Sequence, residues 1–403
     1  MRVVIIGAGP AGLTAAEAIR TRSPETTVEM ISAEPFPPYA PPAMADHFLT
    51  GRDVTLYWKG EDVCERLGIE YRSGVAVARV VPSARRVELE DGTALGYDRL
   101  VLASGGRLYA PVVGADLPGI ANFKSLRAAK ALVSRAKQGQ AKSAVIVGAG
   151  FVGVEVALVL RDLGLSVTLV EALDRVMPRM LDAETAEIVE KEIRRRGISL
   201  RLGTRVSAFA GKKRAELVLL ESGEELAADI YVAATGVKPN IEPIADSGIG
   251  VRWGVVVDDR LRTSAADVFA AGDVAETQDR ITGESYVHAI FPNAVEQGLV
   301  VAANVLGADV RYEGAESMNS LKHVGLPVIA VGAQHGPEEL RVRHGDALRK
   351  LFLEDGKIVG FRLTGDVRAA GVYRSLMLKG ADVRSYGPAL VEPSFSIADI
   401  LLP

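Results

Sequence analysis

The sequence predicts an α/β protein with two similar doubly wound domains and a smaller C-terminal α+β domain. Three observations predict it. An apolar run, Val3 to Ile6, leads into Gly7, Gly9 and Gly12, spaced G-x-G-x-x-G, and then into an alanine-rich helical stretch. The same order recurs at Ala144 to Val147, with Gly148, Gly150 and Gly153 in the same spacing and an apolar helix after them. From Tyr312 the composition changes to short alternating strands. Two such glycine patterns, each between a strand and a helix, mark two Rossmann-like three-layer folds, each able to bind a dinucleotide.

Each glycine has a physical reason. The first of each set permits a tight turn out of the strand. The second lets the backbone approach a pyrophosphate, and the third lets helix and strand pack closely. The helix N-terminus, with Pro10 and Ala11 in the first copy, then offers free N–H groups and a partial positive charge. The plain alternative is two glycine-rich turns in an ordinary α/β protein. The strand before and the helix after each set argue against it.

At 403 residues the chain expects two or three domains, and 48% hydrophobic with 24% charged residues marks it as globular. A net charge of −4 argues against a general nucleic-acid binder. The most apolar long stretch, Ala144 to Leu160, contains Glu155 and three glycines, so no membrane span is expected. With a buried strand expected from Arg2, no signal peptide is expected. The one cysteine, Cys64, excludes an intrachain disulfide and a Cys-x-x-Cys site, so no metal is expected and cytoplasm is the default location.

In chain order, the first unit reads as βαβ and then further strands. Its second strand is Thr27 to Ser32, where an acidic residue at the end would hold a ribose hydroxyl. Ser32 stands there and Glu34 follows; an exposed loop carboxylate is the plain reading of Glu34. Pro35 to Gly51 carries five prolines in eight residues, which predicts a stiff loop without regular structure. Tyr57 to Leu67 reads as a helix carrying Cys64 as a packing residue. Val75 to Val80 and Arg86 to Leu89 read as a hairpin, with Asp91-Gly92 in a turn. Tyr97 to Gly106 is a buried strand ending in Ala103, Ser104 and Gly105.

Ala121 to Ala136 reads as a helix leading to the second glycine set. The next strand, Ser166 to Val170, ends at Glu171, whose carboxylate would accept both ribose hydroxyls and repel a 2′-phosphate. That favours NADH over NADPH, with Arg175 and Arg179 nearby softening the preference. Ala183 to Arg196 is a helix. Strands at Leu217 to Leu220 and Ile230 to Ala234 precede Gly236. Val268 to Ala271 is a strand ending at Gly272-Asp273, and an aspartate there can bond a polyol chain. Phe291-Pro292-Asn293 opens a helix to about Leu306, since Pro292 suits a first turn. The clearest later elements are a strand pair, Arg349 to Glu354 and Lys357 to Leu363, and a helix at Ala369 to Lys379.

With these stretches in hand, the chain resembles the FAD-dependent pyridine nucleotide oxidoreductases. Within them it is most similar to NADH:rubredoxin and ferredoxin reductases, with CoA-disulfide reductases and NADH oxidases nearby. The motifs that carry this are GAGPAG at Gly7, YDRLVLASG at Tyr97, GAGFVGVE at Gly148, ATGVKPN at Ala234 and VFAAGD at Val268. The resemblance implies an FAD-binding domain at 1–114 and 239–309, an NAD(H)-binding domain at 115–238, and an α+β interface domain at 310–403. It implies cofactor contacts from Gly7, Gly9, Pro10, Ala11, Gly12, Ser32, Glu34, Pro41, Val77, Ala103, Ser104, Gly105 and Arg127. It implies further ones from Gly148, Gly150, Phe151, Val152, Gly153, Glu155, Glu171, Gly236, Gly272, Asp273, Pro292, Asn293, Ala294 and Gln297. Asp273 would hold the FAD ribityl chain. The Pro292 helix would aim its N-terminus at the flavin N1/C2=O edge, where reduced flavin is anionic. Phe151 would cover the flavin until nicotinamide displaces it.

Departures from the pattern carry as much as the matches. Disulfide-reducing relatives place a redox cysteine where this chain has Pro42, and Cys64 lies too far along to replace it. No thiol is left to pass electrons to a disulfide. Ferredoxin-reductase relatives carry a lysine that pairs with the carboxylate at Glu155; here Asp46 stands at that place. His47 or Arg52 could partner Glu155, or Glu155 could be unpaired with a raised pKa.

The expected reaction is hydride transfer from NADH to FAD beside Glu155, Phe151 and Pro42. Single electrons then pass directly to an iron–sulfur protein, or the reverse. Basic clusters at Arg194 to Arg196, Lys212 to Arg214, and Arg341 with Arg343 could dock such a partner, though each also reads as a solvated face. Three alternatives stand beside this. One is an electron-transfer subunit of a multi-subunit iron–sulfur enzyme such as a 2-oxoacid:acceptor oxidoreductase. The others are an NADH oxidase or diaphorase, and a non-enzymatic flavoprotein sensor. A homodimer or a complex subunit would fit the third domain.

Overall fold

A computed structural model describes residues 1–139 and 141–401. Gln140, Leu402 and Pro403, which fall within the expected second and third domains, lie outside the described residues. The chain groups into two compact units. The first is Met1–Tyr109, Lys124–Ala129 and Val237–Glu316; the second is Ala110–Phe123, Lys130–Gly236 and the chain from Ser317 on. The expected third domain thus gives its residues up to Glu316 to the first unit and the rest to the second.

The first unit is built on a five-stranded sheet ordered Val268–Ala270, Arg99–Leu102, Arg2–Ile6, Thr27–Ser32 and Glu70–Ser73. All four pairings are parallel. Parallel strands are covered on both faces, which is why Val3 to Ile6 is a continuous apolar run. Val3, Ile5, Met30 and Val101 face the helices Pro10–Arg22 and Phe291–Val305 in one core. Val4, Ile6, Ile31 and Leu100 face the other way, packing with Val80, Val87 and Leu95 of a three-stranded antiparallel sheet. The two helices approach closely because position 298 is glycine: a Cβ there would come within 2.6 Å of the Ala11 carbonyl oxygen.

The second unit repeats the plan. Its parallel sheet is ordered Ser199–Arg201, Ser166–Val170, Ser143–Val147, Ile230–Ala233 and Ile120–Ala121. A three-stranded antiparallel sheet, Val206–Ala210, Leu217–Leu220 and Glu225–Leu226, accompanies it. The C-terminal part adds a five-stranded antiparallel sheet ordered Met318–Leu321, Val328–Gly332, Lys357–Thr364, Ala347–Glu354 and Glu338–His344. The helix Ala370–Leu378 packs on the strand Lys357–Thr364.

One transverse row of this last sheet is cationic: Arg341 stands opposite Lys350, and Lys350 opposite Arg362. Carboxylates at the start of the helix Ala183–Arg195 meet it. Lys350 lies 2.5 Å from Asp182 and 2.7 Å from Glu184, and Arg341 donates to Glu184 at 2.8 Å. Arg343 joins them at 3.4 Å from Glu184. Arg341 and Arg343, candidates for partner docking in the sequence, are therefore engaged within their own unit. Burial works to raise the Glu184 carboxyl, but the bonds from Lys350 and Arg341 outweigh it and hold it at about 2.

Two local expectations are corrected. The proline-rich stretch is not irregular throughout: a 3-10 turn at Pro41–Ala43 runs into a helix at Met44–Thr50. Its last prolines fall in a first helical turn, where a missing N–H costs nothing, and none follows them. Tyr57 to Leu67 is not one helix. Turns precede Gly60, which sits at φ +88° and interrupts the stretch, and only Val63–Arg66 is helical. Among the described residues, no helix is long and apolar enough to cross a membrane.

Candidate functional site

Each unit carries its own glycine site. In the first, Gly7 adopts φ +107° and its N–H bonds the Ile31 carbonyl at 2.8 Å. A Cβ at Gly7 would overlap the Ala103 carbonyl oxygen, and one at Gly12 would overlap the Gly7 carbonyl oxygen. At Gly9 a Cβ would meet nothing within 4 Å. Two of the glycines are thus demanded by the protein's own packing, while Gly9 opens onto free space at the N-terminus of the helix Pro10–Arg22. Gly9 caps that helix without a side-chain bond. The orphan N–H groups of Ala11 and Gly12 therefore face the space that Gly9 leaves open. This cradle fits a dinucleotide pyrophosphate.

The second unit has the same geometry. Gly148 adopts φ +105° against the Ala234 carbonyl, Gly153 packs on the Gly148 carbonyl, and Gly150 has nothing within 4 Å. Phe151 and Val152 open the helix Phe151–Asp162, with Phe151 half-buried and Val152 exposed. Gly236 sits at φ +151° just after the Ile230–Ala233 strand.

Around the first cradle, Glu34 does more than the sequence expects. Its carboxylate accepts the Tyr39 hydroxyl at 2.5 Å and the Arg127 backbone N–H at 2.9 Å. Tyr39 in turn accepts the Leu126 N–H at 2.9 Å, and the Arg127 guanidinium donates to the Ala33 carbonyl at 3.1 Å. Glu34 and Arg127, far apart in sequence, are thus brought together at the start of the helix Leu126–Lys137. A carboxylate has lone pairs left for a ribose after two such bonds. Ser32 ends its strand and accepts the Glu34 N–H at 3.2 Å. Ser104 donates to the Asn240 carbonyl at 2.8 Å, and Gly105 accepts the Asn240 N–H at 2.9 Å. Val77 lies on the antiparallel sheet, opposite Leu89. Pro41 and Pro42 form the 3-10 turn before the helix Met44–Thr50, with Pro42 exposed.

Asp273 follows the strand Val268–Ala270 and is paired with Lys124 at 2.8 Å. Gly272 donates its N–H to Gln297 at 2.7 Å, which ties this turn to the helix Phe291–Val305. Pro292 occupies that helix's first turn. Ala294 is buried, and the Asn293 amide is engaged at both ends by the Glu316 backbone, at 2.9 and 3.1 Å.

In the second unit, Glu171 caps its own glycine loop: it accepts the Ala149 N–H at 2.8 Å and the Leu173 N–H at 3.0 Å. Glu155 is half-buried on the fingerprint helix, and burial pushes its carboxyl up to about 7, with the charge of Lys322 pulling the other way. His47 pairs instead with Asp53 at 2.7 Å, and Asp46 accepts the Thr55 hydroxyl at 2.8 Å. Cys64 packs in the core of the first unit with Ile19 and Ile69. Burial pushes its thiol up to about 11, so it is not a thiolate near neutral pH.

Three residues escaped the sequence reading: Tyr39, Lys124 and Lys322. Each reaches the site only through tertiary structure.

Residues 1–298 match the family model described as pyridine nucleotide-disulphide oxidoreductase. The chain is 36% identical to rhodocoxin reductase of Rhodococcus erythropolis over 77% of this chain and 74% of that one. It is 30% identical to NADH-dependent phenylglyoxylate dehydrogenase subunit epsilon of Aromatoleum evansii, over 95% of this chain and 92% of that one. A ferredoxin reductase structure from Rhodopseudomonas palustris superposes with a TM-score of 0.89 at 27% identity, covering 99% of each chain.

Proposed function

Because the chain belongs to the pyridine nucleotide-disulphide oxidoreductase family, we propose that it is an NADH-dependent flavoprotein reductase whose electrons go directly to an iron–sulfur protein. The first cradle, with Glu34 and Asp273 beside it, holds FAD; the second, with Glu171, holds NAD(H). When bound, FAD supplies the chemistry, taking a hydride from NADH and releasing electrons singly. The protein binds, orients and keeps Glu171 placed against a 2′-phosphate. The observation that carries direct transfer is the state of sulfur. By resemblance to the disulfide-reducing relatives Pro42 takes the place of the redox cysteine, and Cys64, the one cysteine, is buried with its thiol pushed up to about 11. The names of the related rhodocoxin and ferredoxin reductases support an iron–sulfur acceptor. Cytoplasm is the location we propose, on the same scarcity of cysteine.

Anaerobic titration with NADH tests this. One equivalent per flavin bleaches the flavin absorbance, without the long-wavelength band that a thiolate beside flavin gives. Cys64→Ala gives the same stoichiometry. A requirement for two equivalents reveals a second redox centre and overturns direct transfer.

A second reading is favoured by one observation. The likeness to the phenylglyoxylate dehydrogenase subunit runs over nearly the whole of both chains. In this reading the protein carries electrons between NAD(H) and the iron–sulfur chains of a 2-oxoacid-oxidising complex. Purification from the native cell, followed by identification of accompanying chains, separates the two.

A further inference from the structure

We propose that Tyr39 is a positioning residue for the vicinal diol of the cofactor's adenosine ribose: its hydroxyl locks the Glu34 carboxylate so that each carboxylate oxygen presents one free lone pair to a ribose hydroxyl. The proposal rests on the reading of the first cradle as an FAD site. Its geometry starts at the parallel sheet. The Gly7 N–H bonds the Ile31 carbonyl at 2.8 Å, so the glycine turn and the end of the strand Thr27–Ser32 lie side by side. Glu34 follows two residues after that strand, and its carbonyl accepts the Gly74 N–H at 3.1 Å, which fixes its backbone. Between Glu34 and Tyr39, Pro35, Pro37 and Pro38 have their φ locked by the ring. The Tyr71 hydroxyl donates to the Phe36 carbonyl at 2.7 Å, and the Ala40 N–H donates to the Leu56 carbonyl at 2.8 Å. A stretch with little freedom thus returns the tyrosine to the carboxylate that precedes it.

Chemistry fixes the direction of each bond. A backbone N–H only donates and a carboxylate only accepts. The Tyr39 hydroxyl therefore takes the Leu126 N–H at 2.9 Å and gives its own proton to Glu34 Oε2 at 2.5 Å. Glu34 Oε1 takes the Arg127 N–H at 2.9 Å, and Ser125 Oγ takes the Ala128 N–H at 3.3 Å. The N–H groups of Leu126, Arg127 and Ala128 have no partner within their own helix, and two of the three are spent on Tyr39 and Glu34. A carboxylate offers about four acceptor positions, two on each oxygen. One on each is filled from within the protein. What remains is a pair of acceptors, one per oxygen, which suits two hydroxyls on neighbouring carbons. Without the Tyr39 hydroxyl, Oε2 is free to turn out of this arrangement and the Leu126 N–H loses its acceptor.

The test uses the full-length, flavin-loaded protein and follows FAD release on dilution by the recovery of flavin fluorescence. Tyr39→Phe speeds release about ten-fold, and Glu34→Gln speeds it at least as much. The double variant is no faster than Glu34→Gln alone, because Tyr39 acts through that carboxylate. Reloaded with an FAD analogue whose adenosine ribose lacks both hydroxyls, the wild type and Tyr39→Phe release it at the same rate. A tyrosine that merely supports the loop would speed the release of both flavins and would add its full factor to that of Glu34→Gln. Either result overturns the proposal. A wild type that holds no FAD overturns the cradle assignment and the proposal together, whereas FAD held by the wild type and released from Tyr39→Phe at the same rate overturns the proposal alone.

Discussion

Gly9→Ala yields a folded protein that purifies without FAD, and Gly150→Ala yields a folded, yellow protein that NADH no longer reduces. The added methyl meets nothing within 4 Å at either position, so the protein itself has no reason to resist it. Gly9 is at φ −73° and Gly150 at φ −71°, where alanine is unstrained. The methyl instead occupies the space through which a pyrophosphate must approach the helix N-terminus. A loss of at least about 100-fold in affinity, roughly 2.7 kcal/mol, is expected at each site. Fluorescence titration with FAD for the first variant and with NADH for the second measures it. Gly7→Ala is the contrasting control. It combines φ +107° with overlap of the Ala103 carbonyl, so it damages folding before binding is ever tested. If Gly9→Ala retains FAD at wild-type affinity, the cradle is not where the pyrophosphate lies.

Lys350→Met produces the largest loss of stability, about 3–5 kcal/mol in the second unit, because it leaves Asp182 and Glu184 facing a buried site without their shared ammonium. The Lys350 side chain is only 5% exposed, so water cannot take over its role. Urea unfolding followed by circular dichroism measures the loss, and Asp182→Asn added to Lys350→Met recovers part of it. The pH dependence has a definite sign. Glu184 is held at about 2 against an ordinary value of 4.5. Its contribution is fully present above 4.5 and disappears as pH falls toward 2. The gap between wild type and Lys350→Met therefore narrows on acidification. A gap that stays constant from neutral pH to pH 3 would show that charge pairing is not its source.

Both glycine sites were legible in the sequence because glycine there encodes a backbone demand. Gly7 and Gly148 need positive φ, and Gly12 and Gly153 need close approach. The parallel strands were legible for a related reason: burial on both faces writes itself as an unbroken apolar run such as Val3 to Ile6. The helix Met44–Thr50 was hidden by its neighbours, since prolines in a first turn look the same in sequence as prolines that forbid a helix. Gly60 lies behind the opposite error: at φ +88° it keeps Tyr57 to Leu67 from forming one helix, and only Val63–Arg66 after it is helical. The charge of Lys322 that acts on Glu155 was not legible in local pattern. Sequence reasoning searched near Asp46, but Lys322 comes from a sheet whose placement depends on Met180, Ser317 and Asn319 meeting. Charge partners across elements are set by docking, and docking leaves little trace in local pattern.

The edge strand Val268–Ala270 of the first parallel sheet pairs with Arg99–Leu102, more than 150 residues earlier. On the ribosome that distance is a delay. At about 5–20 residues per second, on the order of 10–30 s pass between synthesis of the two strands. Throughout that interval Arg99–Leu102 is an open, apolar edge, the kind that invites mispairing. The second unit's parallel sheet begins later but has all its strands by Ala233. The nascent chain therefore completes its sheets in the reverse of the order in which it starts them. The cradle we assign to FAD, whose Gly272, Asp273 and Gln297 arrive last, is finished only after the second unit's parallel sheet has all its strands.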